Sequence, residues 1–125
     1  MEDRFCLDAT AETPEIVFDR IKNEFSIKGK SMPESAFDFY APVISWLDEY
    51  KSKPNDKTAL DISLEYFNSG SVKQVFKILC ALEEITETGK EAEVKWFYKK
   101  GDELMLSKGL EFGKFLDLPI EVKEI

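Results

Sequence analysis

The chain has 125 residues, 43% hydrophobic and 13% aromatic, and is read as a single domain over 1–125, able to bury roughly two-thirds of its unfolded surface. Its net charge of -8, with no Lys/Arg cluster to reverse the sign locally, excludes nucleic acid and anionic membrane as partners. Histidine is absent and Cys6 and Cys80 lack Cys-x-x-Cys spacing, so no metal site, no disulfide framework and no Ser-His or Cys-His nucleophile is expected; the two cysteines are read as reduced, mostly buried thiols.

The amino terminus, Met1-Glu2-Asp3-Arg4, is acidic and no sustained apolar run follows it. It reads as neither a signal peptide nor a membrane anchor, and a cytoplasmic location is expected. Phe5-Cys6-Leu7 and Glu15-Ile16-Val17-Phe18-Asp19 read as short strands, and Phe25-Ser26-Ile27 as a third that ends at Gly29. The last two are expected to pair as a hairpin across Lys22-Asn23.

From Pro33 the period changes. Ala36, Tyr40, Val43, Leu47 and Tyr50 recur at helical spacing, with Phe37, Ile44 and Trp46 widening the apolar face. Pro42 predicts a short first turn followed by a kink or restart. Thr58 to Tyr66 predicts a strand with Leu60, Ile62, Leu64 and Tyr66 on a buried face and Asp61, Ser63 and Glu65 on a wet one. A strand wet on one side places the helices on a single face of the sheet.

Val72, Val75, Phe76, Ile78, Leu79, Leu82 and Ile85 predict a central helix closed at Gly89. Val94, Trp96 and Tyr98 repeat the strand alternation, with Phe97 on the polar side. Asp102 is expected to cap a last helix carrying Met105, Leu106, Leu110, Phe112 and Leu116, in which Gly109 and Gly113 permit close packing or fraying. Pro119-Ile120-Glu121-Val122 then returns as an edge strand. The order is β-β-β-α-β-α-β-α-β: an α/β fold with a mixed sheet and helices mainly on one face.

Catalytic constellations are missing. Asp61 and Glu65 would stand roughly 13 Å apart on their strand, beyond the ~5 to 9.5 Å of paired-carboxylate glycoside chemistry. Asp48-Glu49, Glu83-Glu84 and Asp102-Glu103 are neighbours on helices that point apart. Phe67-Asn68-Ser69-Gly70-Ser71-Val72-Lys73 lacks Walker spacing. No cofactor is expected and the chain is not read as an enzyme. What stands out is the step from strand to helix at Asn68-Ser69-Gly70-Ser71, where hydroxyls meet the unpaired N–H groups and positive dipole of a helix start.

Four blocks carry a resemblance at compatible spacing over nearly the whole chain. They are Thr13-Pro14-Glu15-Ile16, Pro33-Glu34-Ser35-Ala36-Phe37-Asp38-Phe39-Tyr40-Ala41-Pro42-Val43-Ile44-Ser45-Trp46-Leu47, Leu64-Glu65-Tyr66-Phe67-Asn68-Ser69 and Val94-Lys95-Trp96-Phe97-Tyr98. Together they resemble the SiaC family of bacterial regulatory phosphoproteins, and the element order is similar to that of the STAS domains of anti-sigma-factor antagonists. The resemblance implies a phosphoacceptor at Ser69, with Ser71 as the alternative, and a partner-binding surface at Asn68, Ser69 and Gly70. The chain departs from the family pattern in having Ser69 where Thr is more usual and Gly70 where a hydroxyl residue is more usual. The implied partners are a cognate serine/threonine kinase, a PP2C-like phosphatase and, in some bacteria, a diguanylate cyclase engaged by the unphosphorylated form. The competing reading is a constitutive interaction or scaffold domain in which Ser69 is only a helix cap.

Overall fold

The computed structural model describes residues 2–125, and its elements follow the expected order. Three strands, β1 (Arg4–Leu7), β2 (Glu15–Asp19) and β3 (Glu24–Ser31), precede α1 (Ala36–Tyr50), β4 (Lys57–Phe67), α2 (Ser69–Glu87), β5 (Glu91–Tyr98), α3 (Glu103–Phe115) and β6 (Ile120–Glu124). The six strands form one sheet in the spatial order β1-β2-β3-β4-β5-β6. β1, β2 and β3 pair antiparallel, whereas β3, β4, β5 and β6 pair parallel. Sequential parallel strands joined by right-handed crossovers place every crossover helix on the same side. Residue burial agrees with that geometry, since Leu60, Ile62, Val94 and Trp96 are buried while Asp61, Ser63, Lys95 and Phe97 on the other face are half-exposed.

The β2–β3 turn forms where the sequence places it, with Asp19 opposite Glu24. Asp19 Oδ1 accepts the amides of Ile21 and Lys22 at 3.0 and 2.9 Å, and Asn23 takes the left-handed conformation that Asn tolerates. β3 continues past Gly29, its predicted end, to Ser31.

Pro42 does not break α1. The helix runs unbroken from a Ser35 cap, whose hydroxyl accepts the Asp38 amide at 3.3 Å, to Tyr50. Tyr40, Val43, Trp46, Leu47 and Tyr50 are all buried along it, and at roughly 1.5 to 3 kcal/mol per buried large side chain they outweigh one missing hydrogen bond. The Pro42 ring itself faces solvent.

The alternation of β4 fails near its end. Gly29 pairs with Leu64 and Lys30 with Tyr66, so Glu65 is an extra residue, a bulge that shifts the strand by one position. Tyr66, expected inside, is therefore exposed, and Phe67 turns inward against Trp96. Cys6 also departs from expectation: it lies exposed on the open face of edge strand β1, opposite Val17. Cys80 is half-buried, and burial pushes its thiol pKa up, helped by Glu83 and Glu84.

The remaining boundaries follow their local chemistry. Gly89 has φ +90 just beyond the Thr88 cap of α2, and Asp102 Oδ1 accepts the Met105 amide at 3.0 Å to start α3. Gly109 lies against Trp96, where a Cβ would fall 2.7 Å from the indole nitrogen. Gly113 has open space around it and is not a packing position.

Candidate functional site

α1, α2 and α3 each start just beyond the carboxyl end of a parallel strand, at one edge of the sheet. This edge is where α/β sheets generally place their functional groups. At its middle, β4 ends on Phe67 and α2 begins on Ser69, with Asn68 between them in an extended conformation. The Asn68 amide donates to Ser31 O at 3.0 Å and its carbonyl accepts from Val72 at 3.1 Å. The side chain completes the cap: Asn68 Oδ1 accepts the Ser71 amide at 2.9 Å, and Nδ2 donates to Pro33 O at 3.4 Å. Asn68 is the N-cap of α2, and Ser69 is the first helical residue.

The two candidate serines have opposite environments. Ser71 is fully buried and its hydroxyl donates to Ser31 O at 3.0 Å. Ser31 Oγ in turn donates to Ser71 Oγ at 2.7 Å. With the Ser31 proton so used, the Tyr40 hydroxyl, also 2.7 Å from Ser31 Oγ, is the donor there. The resulting chain runs Tyr40, Ser31, Ser71, Ser31 carbonyl and ties α1, β3 and α2 together with every hydroxyl satisfied. Burial raises the Tyr40 pKa to about 12, partly offset by the hydrogen bond with Ser31, so Tyr40 stays a neutral donor across the ordinary pH range.

Ser69 is exposed, and among the described residues its hydroxyl has no hydrogen-bond partner. The structure thus separates the roles the sequence leaves together. Asn68 holds the helix start, Ser71 is part of the interior, and Ser69 is displayed. Gly70 is exposed beside it, and a Cβ at Gly70 would come 3.2 Å from Ala36 Cβ. α1 and α2 approach too closely there to admit a larger residue without adjustment.

Two aromatics that sequence patterning turns inward are exposed on the adjoining elements. Phe37, on the first turn of α1, is 63% exposed and carries the Lys77 ammonium 5.6 Å from its ring centroid. Helical spacing assigns Phe37 to the apolar face, and the structure moves it to the surface. Tyr66 is 47% exposed three residues before Ser69, and only the Glu65 bulge puts it there. Glu65 itself pairs with Lys99 at 3.0 Å, and the hydrogen bond from Lys99 holds its carboxyl below the usual range. The described residues contain no cluster of His, Cys, Asp and Glu able to hold a metal ion, and no helix among them is long and apolar enough to cross a membrane.

Known proteins resemble this chain in sequence and fold. The profile of the SiaC family of regulatory phosphoproteins matches residues 7–125. An uncharacterised protein of Pseudomonas aeruginosa strain UCBPP-PA14 is 27% identical over 117 residues, covering 94% of this chain and 93% of that one. SiaC of Pseudomonas aeruginosa superposes with a TM-score of 0.88 at 25% identity, covering 99% of this chain and 100% of that one. A chain from the crystal structure of the diguanylate cyclase SiaD in complex with its activator SiaC, from the same organism, matches with a TM-score of 0.89 at 26% identity, covering 97% of this chain and 99% of that one.

Proposed function

Because the chain belongs to the SiaC family of regulatory phosphoproteins, we propose that it is a partner-switching regulator controlled by phosphorylation of Ser69. The surface of Asn68, Ser69 and Gly70 is the part of the partner interface that this modification governs. One observation carries the reading: Asn68 performs the capping, so the exposed Ser69 hydroxyl has no structural task. In the scaffold alternative the capping role assigned to Ser69 passes to Asn68, which favours the switch reading. Ser71 is the weaker acceptor, since reaching it means opening a buried hydrogen-bonded chain.

In this reading a cognate serine/threonine kinase transfers phosphoryl to Ser69 Oγ and a PP2C-like phosphatase removes it, and the chain supplies no catalytic group of its own. A phosphoryl group adds about 1.5 to 2 negative charges at a position whose outward N–H groups can receive them, so the fold stays intact. The effect falls on the partner. A dianion desolvated at an interface built for a small hydroxyl costs several kcal/mol, enough to release a complex. The likeness to SiaC, described as the activator of the diguanylate cyclase SiaD, makes a diguanylate cyclase the leading partner for the unphosphorylated form.

The test is titration calorimetry of Ser69→Ala and Ser69→Asp against the diguanylate cyclase of the same host. The alanine variant is expected to bind as the wild type does and the aspartate variant at least tenfold more weakly. Equal binding by the two variants contradicts the proposal.

A further inference from the structure

Ser69, Lys73 and Lys77 succeed one another at four-residue steps along α2 and therefore lie on one ridge of the helix. The two lysines are exposed but differ in occupation. Lys77 sits over the Phe37 ring, whereas Lys73 makes no ion pair, hydrogen bond or ring contact among the described residues. Lys73 also borders the groove between α1 and α2 in which Ile44, Phe76 and Cys80 are half-buried, with Lys51 on the far rim already bound to Asp48 and Glu84. In a chain of net charge -8, an unengaged ammonium one turn beyond the displayed hydroxyl has a specific use.

We infer that Lys73 is the positioning residue for the modified state, closing onto a phosphoryl group at Ser69 as its counter-cation. The inference rests on the reading of Ser69 as the acceptor. An anion at position i with a lysine at i+4 is the favourable orientation for a helix pair, and the Cβ atoms of such residues are about 5 to 6 Å apart, within reach of a lysine stem. The pair does two things. It fixes the phosphoryl group against the α2 surface, and it withdraws the one of the three lysines lining the groove that is unengaged among the described residues. The modification therefore changes the charge of the rim as well as its bulk.

Other charged side chains at this end of the surrounding elements are Glu34 just before α1, Asp38 on its first turn, Lys30 near the end of β3, Glu65 near the end of β4 and Lys77 on α2. Glu65 is paired with Lys99. Of the lysines on the ridge, Lys73 alone is one helical turn from Ser69, so it is the one whose removal separates this pair from the general field.

The test uses full-length protein with phosphoserine installed genetically at position 69 and follows the phosphorus resonance through pH. A phosphoserine ordinarily loses its second proton near pH 6. The midpoint is expected below that value, by ~0.3 pH unit or more, to move back up in Lys73→Gln, and to be restored by Lys73→Arg. Lys77→Gln should move it less than Lys73→Gln does. Identical midpoints in the phosphorylated wild type and Lys73→Gln overturn the inference. Because the phosphoryl group is installed without the host kinase, this result stands apart from whether the host modifies Ser69, which mass analysis of native protein decides.

Discussion

Asn68 Oδ1 accepts the Ser71 amide at 2.9 Å, and this single bond divides the labour of three nearby polar positions. It ties down the start of α2 through the residue before Ser69 and through the residue two after it. The hydroxyl between them is left on the surface.

Stability should follow that division. Asn68→Ala is expected to cost about 1 kcal/mol from the lost cap, a fall in Tm of roughly 3 to 6 °C, whereas Ser69→Ala should stay within about 0.5 kcal/mol of the wild type. Urea denaturation of the two variants measures this difference. Comparable losses in both would return the capping role to Ser69.

The buried hydroxyl chain gives a pH signature. The Tyr40 pKa stands at about 12 in the fold, raised chiefly by burial, against about 10 for an unfolded tyrosine. Between these values the unfolded chain has released the proton and the folded one has kept it. The stabilisation is complete below about pH 10 and is lost as the pH rises from about 10 toward about 12, with a slope approaching ~1.4 kcal/mol per pH unit. Tyr40→Phe should remove that contribution to the slope. Denaturation midpoints collected between about pH 9 and 11.5, with phenolate absorbance as a second readout, check it; an unchanged slope in Tyr40→Phe would show that Tyr40 ionises as freely as an unfolded tyrosine.

The two glycines of α3 should respond oppositely. Gly109→Ala drives a methyl group into the Trp96 indole and is expected to cost about 1 to 3 kcal/mol. A Cβ at Gly113 would meet nothing within 4 Å, so Gly113→Ala is expected to be neutral or to stabilise by up to ~1 kcal/mol through helix propensity. Denaturant midpoints and the near-ultraviolet signal of Trp96 distinguish them.

The bulge at Glu65 makes a prediction about two adjacent aromatics. Phe67→Ala should cost about 3 to 5 kcal/mol, as deletion of a buried ring does, while Tyr66→Ser should lie within about 1 kcal/mol of the wild type. The reverse order would mean that the uninterrupted alternation is correct and the bulge is not.

These residues also mark where the sequence stops being readable. Alternation in β4 and β5, the Asp102 cap and the turn after Asp19 are local signals, and each leads to the right element. Side-chain period is two in any strand, so nothing in Leu64-Glu65-Tyr66-Phe67 announces that pairing with β3 inserts an extra residue at Glu65. Pro42 misleads because local propensity weighs a lost hydrogen bond and cannot weigh the burial of Tyr40, Trp46 and Tyr50 against a sheet. Residue type alone assigns Cys6 to the interior, but edge strand β1 leaves it on the uncovered face. At the site, the burial of Ser71 rests on its hydrogen bonds with Ser31, which is distant in the chain and bonded in turn to Tyr40. The family resemblance draws attention to this turn, and the three-dimensional contacts are what separate its hydroxyls.

The proposal stands on Ser69 being the residue modified and Ser71 not. Mass analysis of the intact protein purified from its host under several growth conditions, with and without phosphatase and followed by peptide mapping, decides between them. A single phosphoryl group on Ser69 that the phosphatase removes is the expected result. Protein unmodified at Ser69 under every condition, or carrying its phosphoryl group on Ser71, would refute the proposal.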